Sequence, residues 1–142
     1  MKIMAVDVGS SRTGLAICDK LEMLASPLTV LNEKNFDICI SMTAEAAKVN
    51  HAEMIVVGLP KHMNNDIGEK AKLCMEFAEK LRSLVSVPVE MWDERCTTVI
   101  AHNYLNNTNT RGKKRKAVVD AVAATLILES YLGYRKNSGK FH

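Results

Sequence analysis

Lys2-Ile3-Met4-Ala5-Val6-Asp7-Val8-Gly9-Ser10-Ser11-Arg12-Thr13-Gly14-Leu15-Ala16-Ile17-Cys18-Asp19 holds two apolar runs separated by a glycine-bounded turn. Each run has the length of a strand, and two strands joined by so short a turn are expected to be antiparallel neighbours. A reversal near Asp19-Lys20 leads to a third run, Met23 to Val30, where Pro27 argues for an edge position. Apolar residues at 36, 39, 40, 42, 46, 47 and 49 then recur with a helical period over 35–50. Beyond this point strands and helices alternate. Met54 to Val57 is β-branched and ends at Gly58-Leu59-Pro60; Ile67 to Leu84 is amphipathic; Val85 to Trp92 is again strand-like. Thr97 or Thr98 can cap a helix reaching about Leu105. Asn106 to Thr110 and the basic run after it read as a polar loop, and Lys116 to Leu132 as the closing helix with Gly133 as its C-cap. Residues 136–142 read as a frayed tail. The pattern predicts a single α/β domain over 1–142. Its five-stranded mixed sheet would have three antiparallel N-terminal strands, then parallel strands, flanked by helices.

The composition fits that size of fold. With 142 residues, 47% apolar and 25% charged, the chain can bury one core and is not of disordered type. No apolar run approaches the roughly 18–20 residues that cross a bilayer, so no membrane association is expected. Cys18, Cys39, Cys74 and Cys96 form no CxxC pair, which points to reduced thiols and a cytoplasmic location. The four histidines lack zinc-ligand spacing. Charge is unevenly spread. Residues 1–110 hold 11 basic and 14 acidic residues, whereas residues 111–142 hold 8 basic and 2 acidic. Five of those positive charges fall within Arg111-Gly112-Lys113-Lys114-Arg115-Lys116, a block able to attract a polyanion.

Three acids, far apart in sequence, stand at element ends or in an apolar helix. Asp7 closes the first strand, Glu94 follows the strand run ending at Trp92, and Asp120 interrupts the apolar stretch 117–132. Alone, Asp7 could be a turn acid and Asp93-Glu94-Arg95 an exposed loop. Asp120 is harder to explain away, because Ala117, Ala123, Ala124 and Ile127 surround it on a stripe suited to close packing on a sheet. In α/β sheets ligands bind beyond the carboxyl ends of strands. Three carboxylates gathered there repel one another, and a hard divalent cation relieves the repulsion. Mg²⁺ or Mn²⁺ held in this way hydrolyses phosphodiesters. Side-chain alternation lets only one of Asp93 and Glu94 face such a site, and the sequence leaves open which.

These residues resemble the YqgF family, also called RuvX, of the RNase H-like superfamily that includes the RuvC resolvases. The resemblance rests on Asp7 to Ala16, on Val56-Val57-Gly58-Leu59-Pro60, on Asp93-Glu94-Arg95-Cys96-Thr97-Thr98, and on Asp120 to Leu128, with the basic run before Asp120. It implies an RNase H-like fold with Asp7, Glu94 and Asp120 as catalytic, metal-binding acids. It also implies nucleic-acid contacts from Arg12, Gly58, Pro60 and Arg95 and from Lys113, Lys114, Arg115 and Lys116. The family's association is with maturation of the 5′ end of pre-16S ribosomal RNA and, in some members, with Holliday-junction cleavage. Two departures fall after Pro60, where Lys61-His62 replaces a Leu-Asn pair and Asn65 a glycine.

The expected function is therefore a metal-dependent nuclease on structured RNA, with branched DNA as the alternative substrate and a monomer or weak homodimer as the assembly. A non-catalytic nucleic-acid-binding protein of ribosome assembly is a further reading. Asp7-Val8-Gly9 with Gly14 also resembles the phosphate-binding turn of actin-like ATPases. Those enzymes need two such domains around the nucleotide, and this chain supplies one.

Overall fold

The computed structural model describes residues 1–59, 68–93 and 112–137, with side chains of the last segment from 122 onward. The strands are β1 (Ile3–Asp7), β2 (Thr13–Cys18), β3 (Ala25–Leu31), β4 (Met54–Leu59) and β5 (Val89–Asp93). The described helices are α1 (Phe36–Val49), α2 (Glu69–Arg82) and α3 (Gly112–Asn137). The sheet order is β3-β2-β1-β4-β5; β1 pairs antiparallel with β2 and parallel with β4, and β4 pairs parallel with β5. β1 lies in the middle and is covered on both faces, which is why Ile3 to Val6 are all fully buried and read as an unbroken apolar run. Pro27 sits on the edge strand β3, where its missing N–H costs no ladder bond, beside a register shift that leaves Leu28 unpaired.

Alternation along the strands sorts the core into two layers. Met4, Val6, Leu15, Ile55, Val57 and Val89 face α1 and α2, where Phe77 and Leu81 are fully buried. Ile3, Ala5, Ala16, Cys18, Met54 and Val56 face α3 through Ala124, Ile127, Leu128 and Tyr131. Asn35 caps α1, its Oδ1 accepting from the Ile38 N–H at 3.0 Å.

Several expected boundaries move. The final strand starts at Val89 rather than Val85, because Pro88 cannot donate to a ladder and instead offers its carbonyl to the Ile55 N–H. The closing helix begins at Gly112, so positions 113–116 are helical and not part of a polar loop. It also passes through Gly133 to Asn137, so Gly133 is not its C-cap and residues 136 and 137 are not frayed. Tertiary bonds hold this last turn: Arg135 forms a buried two-pronged pair with Glu22, Nε to Oε1 at 2.6 Å and Nη2 to Oε2 at 3.2 Å. The expected helix from Thr97 or Thr98, the loop 106–110 and residues 138–142 lie outside the described residues. No helix among the described residues is long and apolar enough to cross a membrane.

The end of the sheet where β1, β4 and β5 begin is pinned by polar groups. Glu22 adopts φ 57°, a left-handed conformation disfavoured for L residues. Its carboxylate, 2% exposed, takes both Arg135 bonds and one from the Met1 ammonium at 3.1 Å. Beside it the Tyr131 hydroxyl donates to Glu90 Oε2 at 2.5 Å. Burial, then the Glu90 carboxylate, push the Tyr131 phenol up to about 12. The phenol is neutral in the fold at pH values where an unfolded tyrosine, near 10, has ionised. Its contribution is thus complete below pH 10 and lost as pH rises towards about 12. Urea midpoints measured across that window should fall more steeply for wild type than for Tyr131→Phe; parallel curves would contradict this assignment.

Candidate active site

The turn after β1 puts Asp7 at the carboxyl end of the central strand, half-buried. It shares strand parity with Ile3 and Ala5, so its side chain belongs to the α3 face. Its partner across β2 is Gly14, and on β4 Gly58 is the residue after Val57, the partner of Val6. Gly58 in turn pairs with Trp92 on β5. Gly14, Asp7, Gly58 and Trp92 thus cross four strands in one row, with a carboxylate flanked on both sides by residues without side chains. The trough so formed allows a phosphate or ion close to Asp7 and to backbone.

The loop that follows is tightly wound. A Cβ built on Gly9 would lie 2.1 Å from the Arg12 carbonyl oxygen, against backbone that cannot swing away. Gly9→Ala must therefore open the turn between Asp7 and the half-buried Arg12. A stability loss of about 1–3 kcal/mol is expected by urea unfolding, the range for overpacked sites; an unchanged midpoint would show the turn to be softer than its geometry.

Chain direction decides what else reaches this edge. Near its end α3 meets Glu22 beside Met1, and it meets the starts of β4 and β5 through Tyr131, whose hydroxyl approaches Met54 Sδ at 3.7 Å and Glu90 Oε2. It therefore runs antiparallel to β1. Position 120, fifteen residues before Arg135, is about 22 Å back along the axis, towards the carboxyl edge where Asp7 stands. Helical spacing places it on the same stripe as Ala124, Ile127 and Tyr131. Positions 113–116 occupy the first turns of α3, beyond that edge.

β5 narrows the choice between the two adjacent acids. Trp92 packs against the α3 layer, its Nε1 donating to Ser130 Oγ at 3.1 Å and its ring lying edge-on to Tyr131 at 5.4 Å. Met91 packs against the α1–α2 layer. Asp93 ends the strand with the parity of Met91, on the face away from Asp7. Pro60, Glu94 and Arg95, the substituted positions Lys61, His62 and Asn65, and the side chains of Lys113, Lys114, Arg115, Lys116 and Asp120 lie outside the described residues. Among the described residues no group of three or more His, Cys, Asp or Glu could hold a metal ion. Trp92's place in the Asp7 row was not legible in the sequence, because it depends on strand register. The one available signal was its spacing two residues before Glu94.

Known proteins share this fold and, in part, this sequence. Thermus thermophilus RuvC in complex with a Holliday junction superposes with a TM-score of 0.58 over 94% of this chain and 96% of that one, at 15% identity. That likeness is one of fold, the RNase H-like α/β architecture. Closer in sequence, a protein of Caldanaerobacter subterraneus subsp. tengcongensis named "Putative pre-16S rRNA nuclease" is 40% identical over 139 residues, 97% of this chain and 100% of that one. A protein of the same name from Clostridium novyi is 39% identical over 132 residues, 93% of this chain and 98% of its own length. The model of the family described as "RuvX: Holliday junction resolvase" matches residues 1–134, from the strand that carries Asp7 almost to the end of α3, and the chain belongs to that family.

Proposed function

We propose that this protein is a divalent-metal-dependent nuclease that hydrolyses phosphodiester bonds in structured RNA, acting at the 5′ end of pre-16S rRNA. The observation that carries this reading is Asp7 at the end of the central strand, on the α3 face, between Gly14 and Gly58. Asp7 would share a Mg²⁺ or Mn²⁺ site with Glu94 and Asp120. Asp93 has the opposite parity, which leaves Glu94 as the acid of that pair suited to the site. A bound ion would supply an activated water and a counter-charge for the leaving oxygen. The donor set of carboxylate oxygens fits a hard cation. The chain's own contribution is to hold the phosphate: the glycines on either side of Asp7 would admit it, and Arg12, Arg95 and the basic first turns of α3 would neutralise it. The pre-16S assignment draws on the names of the 39–40% identical relatives.

A second reading keeps the same centre and changes the substrate to a four-way DNA junction; the description of the matching family favours it. One assay separates the two. Labelled pre-rRNA 5′ fragment and labelled junction are incubated side by side in Mg²⁺ or Mn²⁺, with the chelated reaction as control. Metal-dependent RNA cleavage is the expected result, and junction cleavage alone would transfer the assignment to a resolvase. Tight binding without cleavage of either would contradict both and support a binding protein.

A further inference from the structure

The chain is poor in aromatic residues, 5% in all, yet three of them meet on the flank of the sheet next to the candidate site. The ring of Trp92 on β5 is centred 5.4 Å from that of Tyr131 and 5.1 Å from that of Tyr134, and the two tyrosine rings are 6.0 Å apart. Tyr131 is buried and forms the floor of the group. Trp92 is only half-buried and Tyr134 is 40% exposed, so ring surface that the core has not consumed is left to solvent. The other described aromatics, Phe36 and Phe77, pair edge-on in the opposite layer. Hydrogen bonds fix two of the three rings: Trp92 Nε1 donates to Ser130 Oγ, and the Tyr131 hydroxyl to Glu90 Oε2. β5 is the edge strand, so among the described residues no further strand covers this flank. On the inner side Gly58 stands between Trp92 and Asp7, with no side chain to separate them. The two strand positions are two sheet spacings apart, about 10 Å.

We propose that Trp92 and Tyr134 form a stacking platform for an unpaired base of the nucleic acid whose phosphate stands at Asp7. The phosphate's place rests on the nuclease reading above; the platform rests on the rings. Every base has a flat π face, and a ring held in place beforehand loses little freedom in receiving it. A base inside an intact duplex is already stacked on its neighbours and has no face to give. The substrate of this site is thereby narrowed to a nucleic acid with single-stranded or unpaired nucleotides beside the bond to be cut. Charge favours the same occupant. Tyr134 belongs to the segment 111–142, which holds eight basic and two acidic residues, and this suits a polyanion over an apolar peptide.

Binding with the metal chelated tests this, because the result then does not depend on cleavage. The probes are a labelled single-stranded RNA oligonucleotide and the same sequence as a blunt duplex. The readouts are anisotropy of the label and emission of Trp92, the chain's single tryptophan. In wild type the single strand is expected to quench Trp92 and the duplex to leave it unchanged. Tyr134→Ala should weaken single-strand binding about 5–150-fold, the range for one base stacked on an aromatic ring, with duplex binding unaltered. Tyr134→Phe keeps the ring and should bind like wild type. A single strand that leaves Trp92 emission unchanged overturns the proposal, and this reading needs no variant to fold. So does a folded Tyr134→Ala chain that binds single strand as tightly as wild type, or one that loses single strand and duplex equally, which marks a general surface contact. Quenching and the Tyr134 effect without metal-dependent cleavage of any substrate would uphold the platform and sink the nuclease reading alone.

Discussion

An Asp7→Asn variant is expected to cut its nucleic-acid substrate at least about 10²–10³-fold more slowly than wild type, with an unchanged melting temperature. The magnitude is that of losing one preorganised electrostatic group from a reacting centre. Asparagine keeps the shape of aspartate and removes its charge, so β1 and its pairing with Gly14 should persist. In the proposed site, where Asp7 stands with Glu94 and Asp120, removing one carboxylate also relieves repulsion, so any stability change should be upward. The telling measurement is the rate as a function of metal concentration. Loss of a ligand raises the metal needed for half-maximal activity, whereas loss of an unrelated group lowers the plateau alone. The chain's single tryptophan gives a second readout, since Trp92 stands in the Asp7 row two strands away. Mn²⁺ should quench its emission in wild type and not in Asp7→Asn. Equal cleavage by the folded variant would remove Asp7 from the mechanism.

Arg135→Ala is expected to destabilise the chain by about 3–5 kcal/mol, because it leaves the Glu22 carboxylate buried at 2% exposure without its two-pronged partner. At this chain length that corresponds to a fall of roughly 10 °C or more in melting temperature. The Met1 ammonium still bonds Glu22, which places the loss at the lower end of that range. Burial opposes the Glu22 charge, but the Arg135 bonds and the ammonium outweigh it and hold the carboxyl below its ordinary 4.5. A carboxyl depressed in the fold stabilises fully above its unfolded value and ceases to do so as pH falls through the folded one. Wild type should thus lose stability on acidification below about pH 4.5, and Arg135→Ala should show a weaker dependence there. Chemical denaturation from neutral to acid pH checks both points. A variant within 1 kcal/mol of wild type at neutral pH would mean the pair contributes to register but little to stability, as buried pairs sometimes do.

Much of this architecture could be read from local pattern. The β1–turn–β2 hairpin follows from two apolar runs around Gly9 and Gly14, and the edge position of β3 from Pro27. The extent of α1 follows from the helical period over 35–50. The candidate acids were visible because a carboxylate at a strand end or within an alanine stripe violates the local pattern. Strand and helix periods repeat over two to four residues, so such signals survive without knowledge of the partner.

What the chain alone determined is the alternation of strands and helices seen among the described residues, the unbroken apolar run of the first strand, and the residue types able to hold a metal and a phosphate. Strand order, the row of Gly14, Asp7, Gly58 and Trp92, and the parity that turns Asp93 away from Asp7 came from register, which is a relation between segments distant in sequence. The closing helix shows the difference best. Gly133 and the polar residues after it look like an ending, yet α3 runs on to Asn137 because Arg135 reaches Glu22, 113 residues earlier. A local propensity of about 1 kcal/mol yields to a buried charge pair whose rupture costs several times that, and only the tertiary structure brings the two charges together.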